Sequence, residues 1–283
     1  MGKEETATVL IVGEFGVGKT HYGAQLLLRL NQGHGSLRMR GAAENISAFE
    51  SAVECLNEGR AAGHTATSTY VESIWPIQFA DGRVMDLVWP DYGGEQIRQI
   101  LANRKFPSPW RDRVKESTAW MLFVRIQQAD SKDDIFSRPI STIHKSPTAD
   151  KSFRISDQAR LIELLQSLLF LRGVGTLRQV SSPALILLLS CWDEIVGVQP
   201  KTRPGQVLAH HLPLLADFVT ATWTADSFSA LGLSALEKPL REDSHDEDYI
   251  NRGPDQFGYV VRMDGTHHKD LTIPIAELAH RAK

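Results

Sequence analysis

Apolar residues along this chain recur in two patterns, which predict strands that alternate with helices. Continuous apolar runs, typical of strands buried on both faces, cover residues 7–12, 119–126, 184–190 and 227–234. Apolar residues at helical spacing, typical of amphipathic helices, recur in residues 21–30, 42–59, 96–104, 157–171, 205–222 and 275–281. This alternation predicts an α/β fold with a mostly parallel six-stranded sheet and helices on both of its faces.

Two further apolar runs, residues 70–79 and 84–89, are separated by Ala80-Asp81-Gly82-Arg83. Because Asp-Gly between apolar runs is a strong hairpin signal, these runs should be antiparallel neighbours and add one antiparallel strand to the sheet. The stretch Gly258-Tyr259-Val260-Val261 predicts another short strand. Pro213 falls inside the helix predicted over residues 205–222 and should kink it.

Polar stretches interrupt this alternation and predict insertions in a single domain that covers residues 1–283. They lie near residues 36–64, 127–156 and 237–257 and contain many Ser, Thr, Gly, Pro and acidic residues. Such stretches are typical of surface loops. A chain of 283 residues is long enough to bury a sizeable core in one domain.

Charge and cysteine content narrow the class of protein. The formal net charge of -3 lacks the excess of Lys and Arg expected of a nucleic-acid-binding protein. No apolar run is long enough to cross a bilayer, and the charged start of the chain leaves no room for a signal peptide before the first strand. Cys55 and Cys191 lack metal-ligand spacing, and the paired histidines are adjacent, which argues against a zinc site. We therefore expect a cytoplasmic protein without nucleic-acid or membrane partners.

The strongest chemical signal is the stretch Gly13-Glu14-Phe15-Gly16-Val17-Gly18-Lys19-Thr20, which matches G-x-x-x-x-G-K-[ST] at every fixed position. It lies between the first predicted strand and the first predicted helix, as a phosphate-binding loop requires. Glycine turns let successive backbone N–H groups face an anion, and the helix N-terminus adds partial positive charge. We expect this loop and His21 to bind a nucleotide, with Lys19 on the β- and γ-phosphates and Thr20 on Mg²⁺.

A second motif, Asp91-Tyr92-Gly93-Gly94, fits D-x-x-G at the end of the second hairpin strand. Asp91 could hold Mg²⁺, and Gly94 leaves its backbone N–H for a γ-phosphate, although Asp and Gly are also common in plain turns. The polar loop before the hairpin contains Thr65, Thr67 and Thr69. One threonine there could close onto Mg²⁺ and γ-phosphate, and Thr67 or Thr69 is favoured.

Together these motifs resemble the Ras-like GTPases of the translation-factor-related class, and Asp91-Tyr92-Gly93-Gly94 is similar to the D-V-G-G of Arf and Gα proteins. The run Leu87 to Gln96, the tail Gly253 to Val261 and Asp270-Leu271-Thr272 resemble the bacterial double-GTPase families of predicted conflict and defence operons. The resemblance implies a P-loop NTPase fold with a Ras-like sheet, and Mg²⁺ with GTP or GDP as ligands. It also implies a switch role with a protein partner, such as an activator, an effector or a second GTPase.

In the Ras-like pattern, N/T-K-x-D follows the fifth strand, and its aspartate accepts hydrogen bonds from guanine N1–H and N2–H₂. Here Ser190-Cys191-Trp192-Asp193 holds this place, so Asp193 matches, while serine and cysteine replace the Asn and the Lys whose stem covers the base. Trp192 either supplies a stacking face or fills the core. Ser234-Ala235 matches the S-A part of the last guanine motif, where a backbone N–H would meet O6. These matches favour GTP over ATP.

Hydrolysis depends on the residue after D-x-x-G, where Ras-like enzymes carry the Gln that orients the attacking water. This chain has Glu95 there, with Gln96 next. A carboxylate can accept a proton from water but also brings negative charge close to the γ-phosphate, so Glu95 could support or suppress turnover. The arginines that could supply a countercharge are Arg60, Arg83 and Arg98. With Lys19, Glu95 and Gln96 as catalytic candidates, we expect slow Mg²⁺-dependent hydrolysis of GTP that a partner accelerates.

Two other functions stay open. One is a scaffold that binds GTP without useful turnover and assembles a complex. The other is an ATP-using P-loop NTPase such as a kinase. No acceptor-binding constellation or lid arginine cluster stands out in the sequence, and Asp193 with Ser234-Ala235 argues against ATP.

Overall fold

A computed structural model describes residues 8–63, 70–129, 155–175, 178–195, 197 and 199–282. Its strands are β1 (Val9–Val12), β2 (Leu37–Met39), β3 (Tyr70–Phe79), β4 (Val84–Tyr92), β5 (Ala119–Arg125), β6 (Ala184–Ser190), β7 (Phe228–Ser234), β8 (Tyr259–Val261) and β9 (His267–His268). Its helices are α1 (Lys19–Gln32), α2 (Ser47–Asn57), α3 (Glu95–Asn103), α4 (Ser108–Glu116), α5 (Asp157–Arg172), α6 (Pro204–His211), α7 (Pro213–Thr222), α8 (Glu247–Arg252) and α9 (Ile273–Arg281). The predicted α/β class is confirmed.

The main sheet has six strands in the order β1-β5-β6-β7-β8-β9. The first four run parallel, and β8 and β9 are antiparallel additions at one side. Every residue of β6 is buried, because a central parallel strand is covered on both faces. The loops after β1, β5, β6 and β7 therefore leave the sheet at one edge, which is where α/β proteins bind ligands.

Helices cover both faces of this sheet, as predicted. Side chains of β1 alternate between two cores, with Leu10 in one and Ile11 in the other. The first core contains apolar residues of α3 to α7, including Trp110 and Trp223. The second contains apolar residues of α1 and α9 together with those of β3 and β4, such as Trp75. Successive side chains of β1 thus enter the cores on opposite faces of the sheet.

The hairpin is confirmed, because β3 and β4 pair antiparallel from Tyr70 opposite Tyr92 to Gln78 opposite Val84. The prediction that the hairpin adds a strand to the main sheet is wrong, because the hairpin and β2 form a separate three-stranded sheet. The six strands of the main sheet are completed by β8 and β9 instead. Pro90 removes one of the N–H donors that a ladder from β4 to β1 would need. The Tyr92 hydroxyl links the two strands, since it accepts from Gly13 N (2.9 Å) and donates to Ile11 O (3.2 Å).

The single kinked helix expected over residues 205–222 is wrong, because the structure has two helices there. Leu212 leaves the helical region (φ -133°, ψ 60°), and Pro213 begins α7. Proline disfavours the helical conformation of the residue before it and has no N–H to donate, so a full break replaces the kink.

Four elements of the described structure, β2, α4, α8 and β9, are not predicted by the apolar pattern. On α4 the buried residues are Trp110 and Val114, too few to reveal a period. The polar stretch 237–257 contains α8, whose Tyr249 packs with Phe257, Ala52 and Leu56 in a small third core. The threonine loop 64–69 and residues 130–154 of the second polar stretch lie outside the described residues. The single-domain organisation stays a prediction.

Candidate functional site

The phosphate-loop motif forms the turn between β1 and α1. Gly16 (φ 73°) and Gly18 (φ 81°) adopt left-handed conformations that favour glycine. A Cβ added to Gly13 would lie 2.9 Å from both Phe123 Cβ and Val17 Cγ2, so this position also requires glycine. Because α1 begins directly after Gly18, its amino end, with the partial positive charge of the helix dipole, faces the loop.

Lys19 is held on the inside of this loop. Its Nζ donates to Gly13 O (2.8 Å) and Glu14 O (2.9 Å) and lies 5.0 Å from the centroid of the Tyr92 ring. The ammonium group is therefore held by two backbone carbonyl oxygens of the loop. Thr20 and His21 follow it at the start of α1, and His21 Nε2 accepts from Ala62 N (3.1 Å).

The D-x-x-G motif brings Gly94 into contact with the phosphate loop. A Cβ added to Gly94 would lie 2.1 Å from the Phe15 backbone nitrogen, so the two backbones meet directly. Asp91 lies within β4, which continues past the predicted end at residue 89 to Tyr92. The Asp91 side chain lies outside the described residues, as do Thr65, Thr67 and Thr69. Of the predicted Mg²⁺ ligands, the structure therefore describes the Thr20 side chain alone.

Glu95 and Gln96 form the first turn of α3. Glu95 Oε2 is buried and has no hydrogen-bond partner in the described part of the chain, whereas Gln96 Oε1 accepts from Trp110 Nε1 (3.4 Å) on α4. The three candidate countercharges bind other carboxylates: Arg60 binds Glu58, Arg83 binds Asp81 and Arg98 binds Glu14. In this arrangement none of these three arginines forms an ion pair with Glu95.

The predicted guanine motifs meet at the ends of β6 and β7. Asp193 lies in a short 3-10 turn, and its Oδ1 accepts from Ser234 Oγ (2.5 Å). Ser234 Oγ also accepts from Glu237 N (2.9 Å), so the serine fixes the carboxylate from behind. Trp192 is 2% exposed and packs against Gly232, so it fills the core and offers no stacking face.

A cleft of about 530 Å³ joins these parts, a volume typical of small-molecule sites. The predicted residues that line it are Phe15, Gly16, Val17, Gly18, Lys19, Thr20, His21, Gly94, Asp193 and Ala235. Among the described residues, Gly13, Glu14, Glu95, Gln96 and Ser234 lie behind or beside this lining. Ser190 Oγ is buried at the cleft wall with no hydrogen-bond partner in the described residues, which suits a ligand-facing polar atom.

Residues 10–278 match the Double-GTPase 1 family. The chain belongs to this family. No curated protein matches the chain. Membership in Double-GTPase 1, together with an intact phosphate loop, identifies a GTP-binding protein.

Solved structures with low similarity to this Double-GTPase 1 chain were also found. The bacterial selenocysteine-specific elongation factor EF-Sec is 11% identical over 81% of this chain and 26% of its own, with a TM-score of 0.35. The G domain of the T. maritima FeoB iron transporter is 10% identical over 99% of this chain and 100% of its own, with a TM-score of 0.35. The SRb-GTP/SRX complex of the signal recognition particle receptor from Chaetomium thermophilum is 14% identical over 83% and 94%, with a TM-score of 0.39. The chain thus spans about a quarter of the elongation factor's length.

Several cleft residues of this Double-GTPase 1 protein were not predicted, because they come from tertiary contacts. Arg125, at the end of β5, lines the cleft beside Cys191 and Glu194. Two backbone segments, Ala61 to Gly63 and Leu236 to Glu242, form the opposite wall. No local pattern marks an arginine at a strand end or a short polar loop as part of a site.

The two wall segments are joined by hydrogen bonds. Ala61 N donates to Arg241 O (2.8 Å), and Gly59 O accepts from both Asp246 N (2.9 Å) and Ser244 Oγ (3.0 Å). A Cβ added to Gly59 would lie 2.5 Å from Asp246 N, so this contact leaves no room for a side chain. We call this connection the wall bridge.

Glu14 ties the loop to two helices. Its side chain is 11% exposed, and its Oε2 accepts from Arg98 Nη2 on α3 (3.0 Å) and from Arg160 Nη2 on α5 (3.0 Å). Arg160 also binds Asp157 in the first turn of α5. The carboxylate is thus neutralised by arginines away from the cleft.

None of the helices in the described part of the chain combines the length and apolar character that crossing a membrane takes.

Proposed function

We propose that this Double-GTPase 1 protein is a GTP-binding switch that hydrolyses GTP slowly with Mg²⁺ and is accelerated by a partner protein. The observation that carries the proposal is that one cleft gathers Lys19 and Thr20 from the phosphate loop and Asp193 from a strand end far along the chain. A ligand that carries both a polyphosphate and a base would contact both the phosphate-binding groups and the group that recognises the base.

The proposed binding mode assigns each group a role. The loop N–H groups and Lys19 bind the phosphates, and Thr20 with Asp91 holds Mg²⁺, joined by Thr67 or Thr69 in the GTP state. Asp193 accepts from guanine N1–H and N2–H₂, and the Ala235 backbone N–H meets O6. Adenine lacks the two donors that Asp193 needs, so ATP should bind more weakly.

In hydrolysis, the oxygen of a water molecule attacks the γ-phosphorus and the bond to the β–γ bridging oxygen breaks, giving GDP and phosphate. The hydrogen bonds of Gln96 with Trp110 and of Arg98 with Glu14 support slow turnover, because both side chains are engaged by other groups in this arrangement. A partner that supplies a cation would stabilise the charge of the transition state. Motif resemblance to conflict and defence families supports such a partner, and the free cysteines support a cytoplasmic setting.

Phosphate release tests the switch against the scaffold alternative. Wild-type protein with GTP and Mg²⁺ should release phosphate slowly, Lys19→Ala should release none, and Lys115→Ala, an exposed lysine on α4, should match wild type. Equal, background-level release from wild type and Lys19→Ala would favour the scaffold. Affinities for GTP, GDP and ATP measured side by side test the base, and a preference for ATP would overturn the guanine assignment.

A further inference from the structure

The base side of the cleft lacks the lysine that covers the base in the Ras-like pattern. Cys191 holds that position, with φ 52°, and lines the cleft. Burial raises the pKa of its thiol to about 12, so the side chain stays uncharged at neutral pH. A short neutral thiol offers neither a long stem nor a cation, and the buried Trp192 next to it offers no replacement.

Arg125 enters the same place from the neighbouring strand. It is the last residue of β5 and lies in register with Ser190, the residue before Cys191, so the two strand ends bring it to the base side. Its Nη1 donates to Gly16 O of the phosphate loop (2.9 Å). The guanidinium thus connects the loop to the strand end that carries Asp193.

Glu194 fixes the plane of this guanidinium. Arg125 Nη2 lies 2.6 Å from Glu194 Oε1, and Nε lies 3.0 Å from Oε2, so the pair is bidentate. All of these hydrogen bonds, including the one to Gly16, leave from the edge of the guanidinium, because its N–H groups lie in its plane. Arg125 also lines the cleft, so a guanidinium face that borders the cleft can stack on a planar ring, a contact that arginine makes well.

We propose that Arg125 is the platform for the guanine base, a specificity-determining residue that replaces the missing lysine. The base stacks on the guanidinium face while Asp193 reads its edge. This inference rests on the proposed function, since it requires a guanine nucleotide in the cleft. Contact with the phosphates is a weaker explanation, because Glu194 already neutralises the positive charge.

The test uses a charge-balanced variant. Arg125→Gln combined with Glu194→Gln removes the platform without leaving an unpaired carboxylate beside the phosphates. We expect its affinity for GDP to fall about tenfold, the usual size of a stacking contact with a cation, while its affinity for tripolyphosphate, which has no base, changes less than about twofold. Calorimetric titration of each ligand into the full chain measures both.

A lysine returned to its usual place provides the rescue. Adding Cys191→Lys to the double variant should restore most of the lost GDP affinity, because lysine, like cysteine, is unbranched at Cβ and can take the same backbone conformation. The matched control is Arg281→Gln with Glu277→Gln, another half-buried ion pair, which lies on α9 next to the residues that precede β7 and so at the opposite edge of the sheet. This control should bind GDP like wild type.

The outcomes separate the two proposals. Wild type that binds tripolyphosphate but no guanine nucleotide overturns the proposed function, and the platform with it. Wild type that binds GDP, with a double variant that binds it equally well or loses tripolyphosphate to the same extent, overturns the platform alone. A base-dependent loss without rescue by Cys191→Lys overturns the statement that Arg125 replaces the lysine. Thermal unfolding of each variant confirms that a folded protein is being compared.

Discussion

At the scale of single residues, the cleft depends on a carboxylate held in one orientation. Ser234 Oγ donates to Asp193 Oδ1 and is itself fixed by Glu237 N, so the carboxylate that we propose as the acceptor for the base is oriented by a short chain of hydrogen bonds. Preorganised acceptors of this kind discriminate between ligands, because a ligand lacking the matching donors leaves the carboxylate without the hydrogen bonds that the matching ligand supplies.

Asp193→Asn should exchange this preference. An amide at this position presents a donor where guanine also has one, so GTP affinity should fall at least about a hundredfold. Xanthine carries a carbonyl in place of the 2-amino group, so xanthosine triphosphate should bind the variant better than GTP. Competition binding with both nucleotides measures the exchange, and Asp226→Asn, at an exposed position before β7, is the control. Unchanged GTP affinity in Asp193→Asn would remove this residue from the site.

Gly94→Ala should separate the D-x-x-G turn from the phosphate loop. The added Cβ would meet the Phe15 nitrogen at 2.1 Å, so the free energy of unfolding should fall by about 1–3 kcal/mol and phosphate release should be lost. Gly205→Ala on α6 meets no atom within 4 Å and should be neutral or slightly stabilising. Urea unfolding of both variants checks the difference, and a Gly94→Ala protein as stable as wild type would contradict this close contact.

Residues that belong to a local motif could be predicted from the sequence. Residues that reach the cleft through contacts between distant elements could not. The loop from Gly13 to Thr20 was found because its glycines and lysine act within one turn. Arg125 was missed because an arginine at the end of a strand has no pattern of its own until β5 and β6 are in register. Trp192 could be read either way from sequence, and only its packing on Gly232 assigns it to the core.

At the scale of elements, the phosphate loop is tied to α3 and α5 through Glu14. Arg98 and Arg160 bind the same carboxylate, so the loop, the helix after D-x-x-G and the helix after residues 130–154 share one charged contact. The strand and helix types were predictable from periodicity, whereas α4 was not, because Trp110 and Val114 alone carry its apolar face.

Glu14→Gln should loosen these helices. Losing charged hydrogen bonds to two arginines should lower the free energy of unfolding by about 2 kcal/mol and speed amide hydrogen exchange in α3 and the first turn of α5. Glu163→Gln on α5, which removes the more exposed pair with Arg104 after α3, should change stability by less than about 0.5 kcal/mol. If exchange in both helices is unchanged by Glu14→Gln, the carboxylate does not couple them.

At the scale of the whole molecule, Asp270 connects the segment before β2 to the segment at the start of α9. Its carboxylate accepts from Ser36, just before β2, and from Thr272, at the start of α9. Burial raises the pKa of Asp270, but the hydrogen bonds from Thr272 and Ser36 outweigh it and leave the pKa below the ordinary value of 3.8.

The Asp270 contact should make stability depend on pH in the acid range. Because the folded-state pKa is depressed, the stabilisation is present above the ordinary pKa and is lost as the pH falls through the folded-state value. Near neutral pH, Asp270→Asn should therefore unfold about 1–2 kcal/mol more easily than wild type, and the gap should narrow as the pH falls below 3.8. Urea unfolding at several pH values measures this gap, and a gap that stays constant through the acid range would show that the ionised form is not what matters.

The wall bridge has a consequence for how product leaves. Gly59 and Ala61 precede the threonine loop, and Arg241 to Asp246 follow the strand that ends at Ser234. Under the proposed function, the hydrogen bonds between them join the border next to the γ-phosphate to the border next to the guanosine. An outward movement of one border therefore breaks these hydrogen bonds or moves the other border with it. Under the proposed function, we expect GDP to leave in one concerted opening, seen as a single exponential in stopped-flow release. A partner protein that binds either border should accelerate this release.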